Sequence, residues 1–228
     1  MNLLVGVCVY NRLHNIERWL RAWDKSNKHD AKLIVVHNYD GPAPPPEMKQ
    51  AILEGGPDFY IQRPNIGADV GATQDVVKGL HPTGYTDWDV LAWFVDDFLP
   101  MQKDFLAPFL HRIVQPSVGL VGACYEPQND SNKHGHFRTV GYAIRREVAK
   151  KLIWPANPIT TRQQCYEMEH GRDNMTVQVE RLGYAALPAI GNEFPLPGYS
   201  HWPNNDFMWD CSLLAHLKRD SEFEEEFK

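Results

Sequence analysis

The chain has 228 residues, 43% of them hydrophobic, which is enough for one large core and ordinary for a soluble globular protein. Its formal net charge of −6 disfavours a broad electrostatic grip on nucleic acid; Arg138, Arg145, Arg146, Lys150 and Lys151 form the one dense basic group, read as a solvated helix face. No apolar run approaches the roughly 20 residues of a membrane-spanning helix, and the scattered Cys8, Cys124, Cys165 and Cys211 lack zinc-knuckle or disulfide-framework spacing.

The opening residues carry no basic lead-in and read as a buried strand over Leu3–Val9, not a signal peptide, so a cytoplasmic location is expected. Leu13, Ile16, Leu20 and Trp23 then recur at helical spacing, and residues 33–36 make a second strand. A proline-rich break at 42–46 precedes a short helix near 47–53, a strand at 59–61 and a helix at 71–80. Residues 89–100 run as a buried apolar strand that stops abruptly at Asp96 and Asp97. Beyond it, strands are expected at 118–124 and 137–144 and helices at 146–153, 174–182 and 209–219, with a polar loop over 126–136. Alternating strands and helices predict an α/β fold with a mostly parallel sheet covered on both faces. No internal repeat or long linker divides it, so a single domain over 1–220 is expected, with a charged tail at 221–228.

Carboxylates at the carboxyl end of a central strand open onto the ligand crevice of such a sheet, where they suit a hard divalent cation serving a phosphate. Asp96 and Asp97 therefore stand as candidate metal ligands; the alternative for an isolated pair is a solvated turn. The ends of the first two strands offer Val9, Tyr10, Asn11 and Arg12, with Asn38 and Asp40, to a nucleotide base, although Asn38 to Gly41 also reads as a turn and Arg12 as a surface charge. Arg63 and Asn65 follow the third strand, and Gly67 and Gly71 permit close backbone approach by a ribose or diphosphate. Asp69 is open to two roles, a ligand for donor hydroxyls or a helix cap. Neither a Walker loop nor a dinucleotide fingerprint is present. Asp173, before the amphipathic segment holding Met175, Val179 and Leu182, is the first candidate base and also a candidate N-cap; Glu169 is the reserve, and Glu167 stands behind it. His134 and His136 are read either as a strand-borne metal pair or as solvated and phosphate- or acceptor-contacting loop histidines.

Taken in order, Val7-Cys-Val-Tyr-Asn-Arg12, Val35-Val-His-Asn-Tyr-Asp40, Arg63-Pro-Asn-Ile-Gly-Ala-Asp-Val-Gly71, Phe94-Val-Asp-Asp-Phe-Leu-Pro100 and Arg172-Asp-Asn-Met-Thr, followed by Leu182-Gly-Tyr184, resemble the GT-A-fold glycosyltransferases, particularly their family-two group. The resemblance implies a Rossmann-like GT-A domain, with a nucleotide-sugar-binding half over 1–100 and an acceptor and catalytic half over 101–220. It implies a donor such as a UDP-sugar, an acceptor glycan or other hydroxyl compound, Mn2+ or Mg2+ as cofactor, and inversion with one carboxylate base. It also points to a third metal ligand near the C-terminus, for which His201 is best placed, a loop histidine among Tyr199 and Trp202 being the alternative. Thr139 to Tyr142 would belong to the acceptor side, where a small residue admits substrate. Two departures stand out: Val95 occupies the first acidic place of the metal signature, and Arg172 precedes Asp173 where the family carries an acidic pair. The competing functions are a sugar nucleotidyltransferase, a noncatalytic nucleotide-sugar-binding module, and a transferase acting on hydroxymethylated bases of nucleic acid.

Overall fold

A computed structural model of the chain describes residues 1–100, 102–126, 135–155 and 159–189, and the backbone of 209–210. The first half runs β1 (Leu3–Val9), α1 (Leu13–Lys25), β2 (Lys32–Tyr39), α2 (Pro46–Glu54), β3 (Phe59–Pro64), α3 (Ala68–Lys78) and β4 (Val90–Val95). The second half runs β5 (Phe98–Leu99), α4 (Ala107–Ile113), β6 (Val118–Gly122), β7 (Tyr125–Glu126), β8 (His136–Phe137), β9 (Gly141–Arg145), α5 (Arg146–Ala149), α6 (Arg162–His170), α7 (Met175–Arg181), β10 (Ala185–Pro188) and β11 (Trp209–Asp210).

Seven strands form the main sheet in the order β10-β6-β9-β4-β1-β2-β3. β1 runs parallel to β2 and β4, β2 to β3 and β6 to β10, whereas β9 is antiparallel to both β4 and β6. β1 is buried along its whole length because helices cover both faces, which is why it reads as an unbroken apolar run. Its odd positions Val5, Val7 and Val9 pack with Ile16, Trp19 and Trp23 of α1 and Phe109 of α4. The even positions Leu4 and Cys8 pack on the other face with Val70 and Val76 of α3, Met168 of α6 and Val179 of α7. From β1 the chain proceeds through β2 to β3 in one direction, then returns to lay β4 on the other side of β1. That reversal opens a crevice above the carboxyl ends of β1 and β4.

Several expected elements differ. α5 ends at Ala149 instead of continuing to residue 153, because the Ile153 N–H donates to Gln178 Oε1 at 2.7 Å and the Ala149 carbonyl accepts the Trp154 indole N–H at 2.8 Å. The expected strand at 137–144 is divided into β8 and β9, with Arg138 N–H donating to Cys124 O and Ala123 N–H to Gly141 O. α3 begins at Ala68, three residues early, from Gly67 in a left-handed conformation at φ 81°. Trp209 opens a strand, paired in parallel with β5, where a helix was expected; residues 211–219 lie outside the described ones. α4, α6 and β10 were not anticipated. Among the described residues Cys8, Cys124 and Cys165 are buried free thiols, and no helix is long and apolar enough to cross a membrane.

Candidate functional site

A cleft of about 470 Å³ occupies the crevice. It is lined by Val9 at the end of β1 with Tyr10 and Arg12 after it, by Asn38 of β2, by Asn65, Gly67 and Asp69 around the start of α3, by Asp96 and Asp97 after β4, by Arg138 and Val140 between β8 and β9, and by Thr160, Thr161, Arg162 and Glu169 before and within α6.

Asp96 is only 5% exposed. Its N–H continues the ladder to Cys8 O at 3.0 Å, and its Oδ2 accepts a long bond from Tyr10 N–H at 3.4 Å. Burial pushes its carboxyl up to about 6 despite the nearby Arg12 guanidinium. Asp97 is tied differently: its Oδ1 accepts from Arg12 and from Asn15 Nδ2 at 2.8 Å. A buried carboxylate with one long hydrogen bond, next to a second carboxylate, is a donor set that suits Mn2+ or Mg2+, which take one or two carboxylates and complete their shell with phosphate oxygens and water. No third His, Cys, Asp or Glu joins them to make a metal-holding cluster among the described residues, and His201 lies outside these residues.

Behind Asn38 and the start of α3, Arg63 organises the cleft without lining it. Its Nε donates to Asp75 Oδ2, one terminal nitrogen to Asn38 Oδ1 and the other to Ile66 O, each at 2.8 Å. Asn38 in turn donates to Ala68 O at 3.0 Å. Tyr10 donates its hydroxyl to the exposed Asp40, and neither Asp40 nor the exposed Asn11 lines the cleft.

Two carboxylates of the cleft, Asp69 and Glu169, lie within electrostatic reach of each other. Burial and the negative Glu169 raise Asp69 to about 6. Burial would also raise Glu169, but the hydrogen bond from His170, then Arg138 and the Thr139 hydroxyl, outweigh it and hold Glu169 below its ordinary value. The pair is thereby split into one carboxylate kept ionised and one that accepts a proton near pH 6.

No family model matches the sequence, and no curated protein matches it either. Solved structures do match. A mannosyltransferase from Pyrobaculum calidifontis, in complex with GDP-Man and Mn2+, gives a TM-score of 0.60 at 15% identity, over 87% of this chain and 58% of its own. A 4-diphosphocytidyl-2C-methyl-D-erythritol synthase gives 0.53 at 11%, over 86% and 93%. S. aureus TarS, 1–349, gives 0.50 at 13%, over 76% and 56%. The fold is GT-A. Within this GT-A frame the chain spans less than two thirds of the mannosyltransferase and of TarS.

Other expected site residues fall elsewhere in the GT-A domain. Asp173 does not line the cleft; its Oδ1 pairs with Arg181 at 2.6 Å. The cap of α7 is Asn174, whose side chain accepts from Val177 N–H at 3.1 Å, so Asp173 is not the N-cap either. Gly67 lines the cleft, yet a Cβ there would lie 2.7 Å from Cys165 Sγ, and one at Gly71 would lie 2.5 Å from Ile66 O. Both glycines admit close packing of the protein on itself. Gly141 is likewise buried, with the Phe98 ring 2.9 Å from a Cβ built there. His136 is neither a solvated loop residue nor part of a three-ligand metal cluster among the described residues: it is fully buried against His170. His134 lies outside the described residues. Thr160 to Arg162 and Arg138 are cleft residues with little signal in the sequence, the one readable sign being the Thr161 and Gln164 capping box that opens α6.

Proposed function

We propose that the chain is a metal-assisted glycosyltransferase that moves a sugar from a nucleotide-diphosphate donor, a UDP-sugar in the first instance, to an acceptor hydroxyl. The observation that carries this reading is that Asp96, Asp97 and Glu169, the last held below the ordinary range of a glutamate, line one and the same cleft of a GT-A fold. A divalent ion held by Asp96 and Asp97 would neutralise the departing nucleotide diphosphate without a proton. Tyr10 and Asn38 bound the space for the base, and Arg12 keeps Asp97 in place. Asp69 faces the donor sugar. Glu169 takes the acceptor's proton as the acceptor oxygen bonds to the anomeric carbon and the bond to the diphosphate breaks, its electrons leaving with the nucleotide. A single carboxylate kept ionised suits inversion.

Glu169 replaces Asp173 as the assigned base, since a proton acceptor must reach the reacting hydroxyl and Asp173 does not line the cleft, pairing with Arg181 at the surface. The nucleotidyltransferase alternative shares the fold, but Tyr10-Asn-Arg-Leu13 after β1 contains no glycine, and its one basic residue, Arg12, is engaged by Asp97. Transfer from UDP- and GDP-sugars with Mn2+ tests the proposal: Asp96→Asn and Glu169→Gln should each lower turnover by about 10² to 10⁴ with the fold intact. Normal turnover by both variants, or pyrophosphate release from a sugar phosphate and a nucleoside triphosphate, would sink it.

A further inference from the structure

The end of α6 holds a contact that proton abstraction by Glu169 alone does not explain. His170 directly follows Glu169 and is held between two partners. Its Nε2 stands 3.2 Å from Glu169 Oε1, and its Nδ1 stands 2.9 Å from Nε2 of His136. His136 comes from β8 and is fully buried, with its ring edge-on to His170 at 4.8 Å and 89°. Tyr166, one helical turn earlier, packs against His170 at 4.9 Å.

Two imidazole nitrogens at hydrogen-bond distance hold one proton between them, so one donates and the other accepts. With both rings neutral, a proton on His136 Nε2 donates to His170 Nδ1 and leaves the His170 proton on Nε2, facing Glu169. The ring nitrogen that carries the proton is set by the bond the other nitrogen makes. The carboxylate of Glu169 then accepts at one oxygen and keeps the other free of this bond.

We propose that His170, fixed in one tautomer by the buried His136, is the positioning residue of the Glu169 base. This rests on the reading of Glu169 as the proton acceptor. The other groups facing Glu169 are Asp69 from α3, which opposes its ionisation, and Arg138 and Thr139 from the segment after β8, which favour it. His170 adds a directed hydrogen bond from the same helix. A purely structural role, tying the end of α6 to β8, would leave the titration of Glu169 where it is.

The full chain labelled with carboxyl-¹³C glutamate tests this by NMR, the Glu169 signal being identified by its loss in Glu169→Gln. His170→Ala should raise the Glu169 midpoint by about one pH unit, and His170→Gln, which keeps a donor, should raise it less. His136→Phe should raise it too and alter the imidazole ¹⁵N shifts of His170. If His136→Phe fails to fold, His170→Ala, at a half-buried helix end, decides alone. An unmoved midpoint in folded His170→Ala overturns the proposal. Turnover of UDP-glucose and GDP-mannose with Mn2+ separates the two ideas: in His170→Ala, kcat should fall about tenfold with donor KM held, and the acid limb should shift with the NMR midpoint. A shifted midpoint in a protein inert on every donor would leave the positioning contact standing and defeat the transferase reading; an active wild type with kcat unchanged in His170→Ala would do the reverse.

Discussion

Arg63 spends its whole guanidinium on the frame of the cleft, with separate nitrogens on Asp75, Asn38 and the Ile66 carbonyl. Lysine offers one compact ammonium in place of that planar fork and cannot reach three acceptors in three directions. Arg63→Lys should therefore cost about 2 kcal/mol in chemical denaturation and loosen nucleotide binding through Asn38, although Arg63 does not line the cleft. Asp69 has the opposite character, being costly to the fold where it stands. Its carboxyl is raised from 3.8 to about 6, so the native state holds this proton more tightly than the unfolded chain. The stability that follows is complete below pH 3.8 and is lost as pH rises through about 6. At pH 7 the carboxyl is ionised against its surroundings, which costs the folded state stability. Asp69→Asn should be more stable than the parent at pH 7, lose that advantage near pH 4, and transfer sugar poorly. Equal denaturation midpoints for the two proteins across that range would remove the burial argument for Asp69.

At the scale of elements, the β1–β4 pair shows how one side chain's absence makes room for another. Gly6 lies opposite Trp93 in the register, and a Cβ on Gly6 would come 2.3 Å from the Trp93 ring. Trp93 is fully buried, so its ring has nowhere to retreat. Gly6→Ala should destabilise by about 1 to 3 kcal/mol, and Gly6→Ala combined with Trp93→Leu should cost less than the sum of the separate changes. Thermal unfolding of the four proteins reads that coupling. β1, β2, β4 and α1 were legible in the sequence because burial on two faces writes a continuous apolar run and burial on one face writes a 3.6-residue period. α5 and the β8–β9 break were not, since their limits depend on donors and acceptors supplied from distant residues such as Gln178 and Cys124. α6 escaped for another reason: only Cys165 and Met168 of its nine residues are buried hydrophobics, too few to mark a period. With α6 unseen, Glu169 had no place in space, and Asp173 drew the base assignment by its position before a visible helix.

For the whole molecule, the order of strands decides where chemistry can gather. The reversal between β3 and β4 brings the ends of β1 and β4 side by side, and thus Tyr10 and Arg12 beside Asp96 and Asp97, nearly ninety residues apart in sequence. Asp96 and Asp97 were readable because they end an apolar strand; Arg138, Thr160 to Arg162 and Glu169 were not placed, because α6 and the turn after β8 reach the cleft only through tertiary packing. A ligand that touches both groups of residues should stabilise the folded state alone. At about 100 times its Kd, such a ligand adds about 2.7 kcal/mol, which for a chain of this size raises Tm by about 5 to 10 °C. UDP or GDP with Mn2+ should therefore give a larger shift than nucleotide with EDTA, and the difference should vanish in Asp96→Asn while the metal-free shift remains. Asp97, Glu169 and the other cleft residues are intact in that variant, so a metal-dependent increment that survives it would show that the cation does not need Asp96.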